Sequence, residues 1–119
     1  MILVVEDDPQ VARLIALILQ RRGEKVDIVA DGRAALDRAK SSRPRMILAD
    51  LTINGMDGET LCANLKEFEE TRAIPYVILS GDRDIAQKAR QCGADDYLGK
   101  PFEFDNLLRL VDKYAGTES

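Results

Sequence analysis

Residues 45–58 read Arg45-Met46-Ile47-Leu48-Ala49-Asp50-Leu51-Thr52-Ile53-Asn54-Gly55-Met56-Asp57-Gly58. Four consecutive apolar residues, Met46 to Ala49, end in a carboxylate, and a turn rich in asparagine and glycine follows. A run this short, apolar at every position and closed by turn residues, predicts a central strand whose two faces are both covered. Placed at 45–50, the strand carries Asp50 at its carboxyl end.

The pattern recurs on both sides. Ile2 to Val5 and Val77 to Leu79 are also continuously apolar, and strands are predicted at residues 2–6, 25–30, 45–50, 75–80 and 95–99. Between them, Val11, Leu14, Ile15, Ile18 and Leu19 recur at helical spacing, as do Leu61, Leu65 and Phe68, then Phe104, Leu107, Leu108 and Val111. Each set predicts one buried stripe on a helix. Asp8-Pro9 forms an N-cap followed by a first-turn proline, Asp57 caps a helix starting near Gly58, and Gly23, Gly93 and Gly116 stand where helices should stop. A further helix over 32–42 has an inner face made mostly of alanine. Strand and helix alternate throughout, which predicts an α/β fold with a parallel sheet. Five such units point to a doubly wound, flavodoxin-like (βα)5 sheet in the order 2-1-3-4-5.

Composition narrows the possibilities further. The 119 residues suit a single domain over 1–119, and 45% hydrophobic with 32% charged residues is the balance of a globular chain. No apolar run is long enough to cross a bilayer, and Met1 leads into Ile2 without a basic segment or cleavage site, so the expected location is the cytoplasm. A net charge of −4 gives no reason to expect nucleic acid or an anionic membrane as direct partner. There is no histidine, which excludes Ser-His-Asp and Cys-His catalysis and histidine-ligated metals. Cys62 and Cys92 lie far apart without CxxC spacing, so neither a zinc site nor a redox pair is suggested, and both read as reduced core residues. Any chemistry runs on carboxylates, hydroxyls and lysine.

Those residue types collect at the strand ends. Glu6 and Asp7 follow the first strand, Asp50 ends the third, Ser80 ends the fourth and Lys100 follows the fifth. In a parallel sheet these positions share one edge, where ligands bind. Three neighbouring carboxylates repel one another unless a cation offsets their charge. Oxygen ligands alone favour a hard ion, and Mg²⁺ uses one or two carboxylates, waters and a phosphate oxygen. Asp7 and Asp50 are therefore assigned as direct ligands, Glu6 as direct or through water, and the main-chain oxygen of Thr52 as a further donor. A carboxylate can attack phosphorus to form an aspartyl-phosphate, with Lys100 and the Ser80 hydroxyl stabilising the phosphoryl oxygens.

Glu6-Asp7-Asp8-Pro9, Asp50 with Gly55-Met56-Asp57-Gly58, Ser80-Gly81 and Lys100-Pro101 resemble, in order and spacing, the response-regulator receiver family of two-component signalling. The resemblance spans essentially the whole chain. It implies that Glu6 and Asp7 are the acidic pair, Asp50 the phosphoacceptor, Ser80 the hydroxyl that moves towards the phosphoryl group, Lys100 the phosphate-binding lysine and Tyr97 the switch aromatic. Lys100-Pro101 resembles the family's cis peptide bond. The implied donor is a phosphohistidine on a sensor histidine kinase or histidine phosphotransfer protein, or a small acyl phosphate. The implied output is an altered surface around helix four, strand five and helix five that controls a downstream partner or effector domain, with no turnover of free substrate.

Ile53-Asn54 replaces the Met-Pro of many relatives, so the loop after Asp50 is expected to be more mobile, and Asp82 is expected near the site entrance. Leu110 and Tyr114 are read as exposed on the last helix. Rival readings fit less well. An aspartate-based phosphatase wants a second carboxylate where Thr52 stands, Glu6-Asp7-Asp8 would repel a flavin phosphate, and no Walker-type loop is present. A phosphorylation-independent binding module on the same fold predicts erosion of the site, and the five key positions are intact.

Overall fold

Successive residues of a strand point to opposite faces, so an uninterrupted apolar strand must be covered on both. The computed structural model, which describes residues 1–116, meets this demand with β1 (Ile2–Val5), α1 (Pro9–Arg21), β2 (Val26–Val29), α2 (Gly32–Ser42), β3 (Met46–Asp50), α3 (Gly58–Glu67), β4 (Tyr76–Ser80), α4 (Ile85–Cys92), β5 (Asp96–Gly99) and α5 (Phe104–Tyr114). The strands form one parallel sheet in the order β2-β1-β3-β4-β5, the flavodoxin-like α/β order expected. Leu3, Val5, Ile47, Ala49, Tyr76 and Ile78 face one core layer with residues of α2, α3 and α4. Ile2, Val4, Met46, Leu48, Val77 and Leu79 face the other, against Ile15, Leu19, Leu107 and Val111 of α1 and α5. Among the described residues no helix is long and apolar enough to cross a membrane.

Local chemistry fixes the helix ends. The Asp8 carboxylate accepts from the Gln10 and Val11 N–H groups with Pro9 in the first turn, and Asp57 accepts from the Thr60 N–H at 2.7 Å. Gly93 closes α4 in the left-handed region at φ 86°. Arg43 does the same for α2 without being glycine, at φ 46°.

The stripes are narrower than the periodicity predicts. Leu14 is 45% and Phe104 51% exposed, because the inner faces of α1 and α5 close on Ile15, Ile18 and Leu19 and on Leu107 and Val111. Phe68 lies just past α3, where its ring receives the Lys40 ammonium at 3.8 Å. Leu110 and Tyr114, expected to be exposed, are partly buried against the α1/α5 layer, and the Tyr114 hydroxyl donates to Asp96 Oδ2 at 2.8 Å.

One glycine sets the distance between α3 and the end of β3. A Cβ on Gly58 would lie 2.2 Å from the Asp50 carbonyl oxygen and 2.9 Å from Leu51 Cα, both main-chain atoms that cannot swing aside. At Gly81 the nearest atom is the Lys100 carbonyl oxygen at 3.8 Å. Gly58→Ala is therefore expected to destabilise the fold by about 1–3 kcal/mol through overpacking. Gly81→Ala should shift the urea midpoint far less, and equal midpoints would contradict this packing argument.

Candidate functional site

The sheet register brings the chemistry-bearing residues to one edge. Val5 pairs with Ala49, Asp50 with Leu79 and Ser80 with Gly99, so Glu6, Asp50, Ser80 and Lys100 stand at or just past the carboxyl ends of four adjacent strands. The Lys100 main-chain N–H donates to the Ser80 carbonyl at 2.8 Å, extending the β4–β5 ladder by one rung. Lys100-Pro101 is cis.

Lys100 reaches back across the edge. Its ammonium donates to Glu6 Oε1 and to Asp50 Oδ2, each at 2.8 Å. The Glu6 side chain is only 3% exposed, against 16% for Asp50 and 24% for Lys100. Burial pushes the Glu6 carboxyl above its ordinary range, with the Lys100 ammonium and the Asp8 N–H pulling the other way. Burial also opposes the charge on Lys100, but its bonds to Asp50 and Glu6 outweigh this and hold the ammonium above its usual value. The remaining oxygen of Asp50, Oδ1, accepts from the Thr52 N–H at 3.3 Å.

Asp7 is partly buried and, with Glu6, lines a cleft of about 420 Å³ bounded by Pro9, Ala12 and Arg13 of α1 and its entry and by Ile28 and Ala30. Among the described residues no three acidic, cysteine or histidine side chains converge as a metal-holding group. Glu6 and Asp50 are instead turned onto Lys100. The donors available to a cation here are all oxygens, and the ammonium already in contact with two of them shows that the site favours positive charge.

Ser80 is 6% exposed, and its Oγ accepts from the Asp82 N–H at 3.1 Å. The serine thus caps its own turn while its hydroxyl proton remains available to donate. Asp82 is not an open negative charge: Lys88 of α4 donates to it at 2.6 Å and the Asp84 N–H at 2.7 Å, and both hold its carboxyl below the usual range. Sequence reading missed Lys88, whose six-residue separation crosses a turn. Tyr97, the switch aromatic of the resemblance, is 42% exposed beside Leu98, Arg109 and Leu110.

The loop after Asp50, where Ile53-Asn54 was expected to raise mobility, carries two main-chain hydrogen bonds and a buried side chain. The Gly32 N–H donates to the Asn54 carbonyl at 2.7 Å, the Gly58 N–H to the Leu51 carbonyl at 2.8 Å, and Ile53 is buried. Gly55, at φ 80°, lies against the Asp31 carboxylate, where a Cβ would come within 2.5 Å of Oδ2. Asp31 therefore serves both as the α2 cap and as a wall for this loop, a second role that its position before Gly32 does not announce.

A family model described as the response regulator receiver domain matches residues 2–112. The chain belongs to that family. It is similar to the DNA-binding dual master transcriptional regulator RpaA of a Synechocystis species, at 35% identity over 92% of this chain and 46% of that protein. It is similar too to sporulation initiation phosphotransferase F of Bacillus subtilis, at 30% identity over 99% of this chain and 95% of that one. The solved receiver domain of sensor histidine kinase PA1611 from Pseudomonas aeruginosa, which has a magnesium ion coordinated in its active site cleft, superposes with a TM-score of 0.90 at 31% identity over 98% of this chain and 97% of that one. The chain spans about half the length of the curated response regulators it matches.

The Lys100 bridge carries an energetic expectation. Lys100→Met leaves two carboxylates facing each other, one of them buried, and should lower stability at neutral pH by about 1–3 kcal/mol. Adding Glu6→Gln should restore part of the loss, giving a coupling of about 0.5–3 kcal/mol in a double-mutant cycle followed by urea unfolding. Strict additivity would show that the bridge contributes nothing.

Proposed function

We propose that this receiver domain is a phosphorylation-dependent switch in a two-component phosphorelay, with Asp50 as the residue that accepts the phosphoryl group. The observation that carries the reading is the Lys100 ammonium held between Asp50 and Glu6, at 2.8 Å from each, on the edge where the parallel strands end. A carboxylate oxygen of Asp50 attacks phosphorus, the bond from phosphorus to the donor nitrogen breaks, and the electron pair leaves with the imidazole. Residues 1–119 contain no histidine, so the phosphohistidine lies outside this domain, on a sensor histidine kinase or a histidine phosphotransfer protein.

Each neighbouring group has a part. Lys100 exchanges a carboxylate contact for a phosphoryl oxygen without losing its charge. Ser80, whose Oγ already accepts from Asp82, directs its O–H at another phosphoryl oxygen. Mg²⁺, when bound, neutralises phosphoryl charge. Asp7, Asp50, Glu6 directly or through water, and the Thr52 main-chain oxygen are the ligands assigned to it. The all-oxygen donor set and the similarity to a receiver domain with magnesium in its cleft support that assignment. The output is a change in the surface of α4, β5 and α5, where the exposed Tyr97 turns inward as Ser80 moves, and the changed surface controls a partner or effector domain. In this reading the domain turns over no free substrate. A phosphorylation-independent binding module would have no use for a lysine and two carboxylates joined at the sheet edge.

Incubation with Mg²⁺ and acetyl phosphate, or with a phosphohistidine donor, should give an acid-stable, base-labile adduct. The adduct should be absent in Asp50→Asn and after chelation of the metal. Ser80→Ala should still be labelled, about 10²-fold more slowly. No labelling of the wild type by any donor class, or labelling retained in Asp50→Asn, would overturn the proposal.

A further inference from the structure

Cys62 lies within α3 and Cys92 is the last residue of α4, thirty positions later. Their sequence separation conceals a contact. α3 packs against α4, and both cysteines sit in the core layer formed by α2, α3 and α4. Cys62 Sγ lies 3.4 Å from the Cys92 main-chain oxygen, so its side chain meets the end of α4 at Cys92. Cys92 Sγ lies 3.5 Å from the Ala89 carbonyl. Both are free thiols, and no step of the phosphoryl chemistry uses them.

The two thiols differ in a way that suits sequential reaction. Cys62 is fully buried, whereas Cys92 retains 9% exposure at the helix end beside Gly93. Donation to Cys92 and burial push the Cys62 thiol up. Acceptance of that hydrogen bond brings the Cys92 thiol below its ordinary value. The cysteine that keeps some exposure is thus also the one whose thiol ionises more readily, and thiolate character governs thiol reactivity.

We propose that Cys62 and Cys92 form a disulfide site that joins α3 to the carboxyl end of α4 when the domain meets a small-molecule disulfide such as oxidised glutathione. The Cys92 thiolate attacks one sulfur of the reagent, whose S–S bond breaks and releases a first thiol. Cys62 then attacks the Cys92 sulfur of the mixed disulfide and releases the second. Two protein thiols are oxidised, the reagent is reduced to two thiols, and the two protons leave on them. The new bond closes a ring that contains the whole of β4, including Ser80, and all of α4. This inference stands apart from the assignment of Asp50.

Folded wild-type protein treated with oxidised glutathione should lose two hydrogens in intact mass without dimerising. Digestion should yield a peptide carrying Cys62 linked to one carrying Cys92, reversible by dithiothreitol. The oxidised form should unfold at higher urea concentration than the reduced form, since the ring restricts the unfolded chain. Cys62→Ser should stop at glutathione attached to Cys92, and Cys92→Ser should remain unmodified while folded. Two free thiols after treatment, a wild type that stops at the mixed disulfide, or intermolecular links alone would each overturn the proposal.

Discussion

The contact between the Lys100 ammonium and the carboxylates of Glu6 and Asp50 depends on almost every other feature of the molecule. Two acidic groups, one just past β1 and one at the end of β3, are brought side by side by the register of a parallel pair, and their repulsion would work against that register if nothing stood between them. The compensating charge comes from beyond β5, two strands from β3. Its arrival requires that β3, β4 and β5 be adjacent and in step, which the pairing of Asp50 with Leu79 and of Ser80 with Gly99 secures. The order of the strands is thus also a condition on electrostatics.

That contact rests on a scaffold whose two faces are equally apolar. Neighbouring residues of β1, β3 and β4 feed opposite layers and are apolar in both, so a one-position slip would exchange one apolar face for another and burial alone does not fix the register. What holds register here is the hydrogen-bonded loops and caps at the strand ends. The Gly58 approach to Asp50, the Gly32 bond to Asn54 and the Asp8 and Asp57 caps all lie at the same edge as the candidate site. The elements that fix the fold and those that position the chemistry are therefore neighbours.

Much of this was legible in the sequence because central strands and parallel connections leave strong marks. Met46 to Asp50 is read as a strand because only two-sided burial explains it, and once the strands are placed, the shared edge of Glu6, Asp50, Ser80 and Lys100 follows from topology. Periodicity says which residues of a helix are apolar but not how wide its docking face is, so Leu14 and Phe104 were misplaced. Contacts set by the separation and tilt of two helices leave no mark at all. The meeting of Cys62 with Cys92 is of this kind. Lys88 and Asp82, and Asp31 and Gly55, were missed for a similar reason, since each pair depends on how a loop folds back on its neighbour.

The loop between β3 and α3 is held at both ends and near its middle: Leu51 to Gly58, and Asn54 to Gly32. Such a segment can change the chemistry of its outward side chains, as at exposed Thr52 and Asn54, without disturbing the backbone that carries them. It cannot change its length, because an added residue would have to displace either the start of α2 or the start of α3. Diversification beside Asp50 is therefore open to substitution and closed to insertion, and lineages descending from this chain would be told apart there by residue identity rather than by gaps.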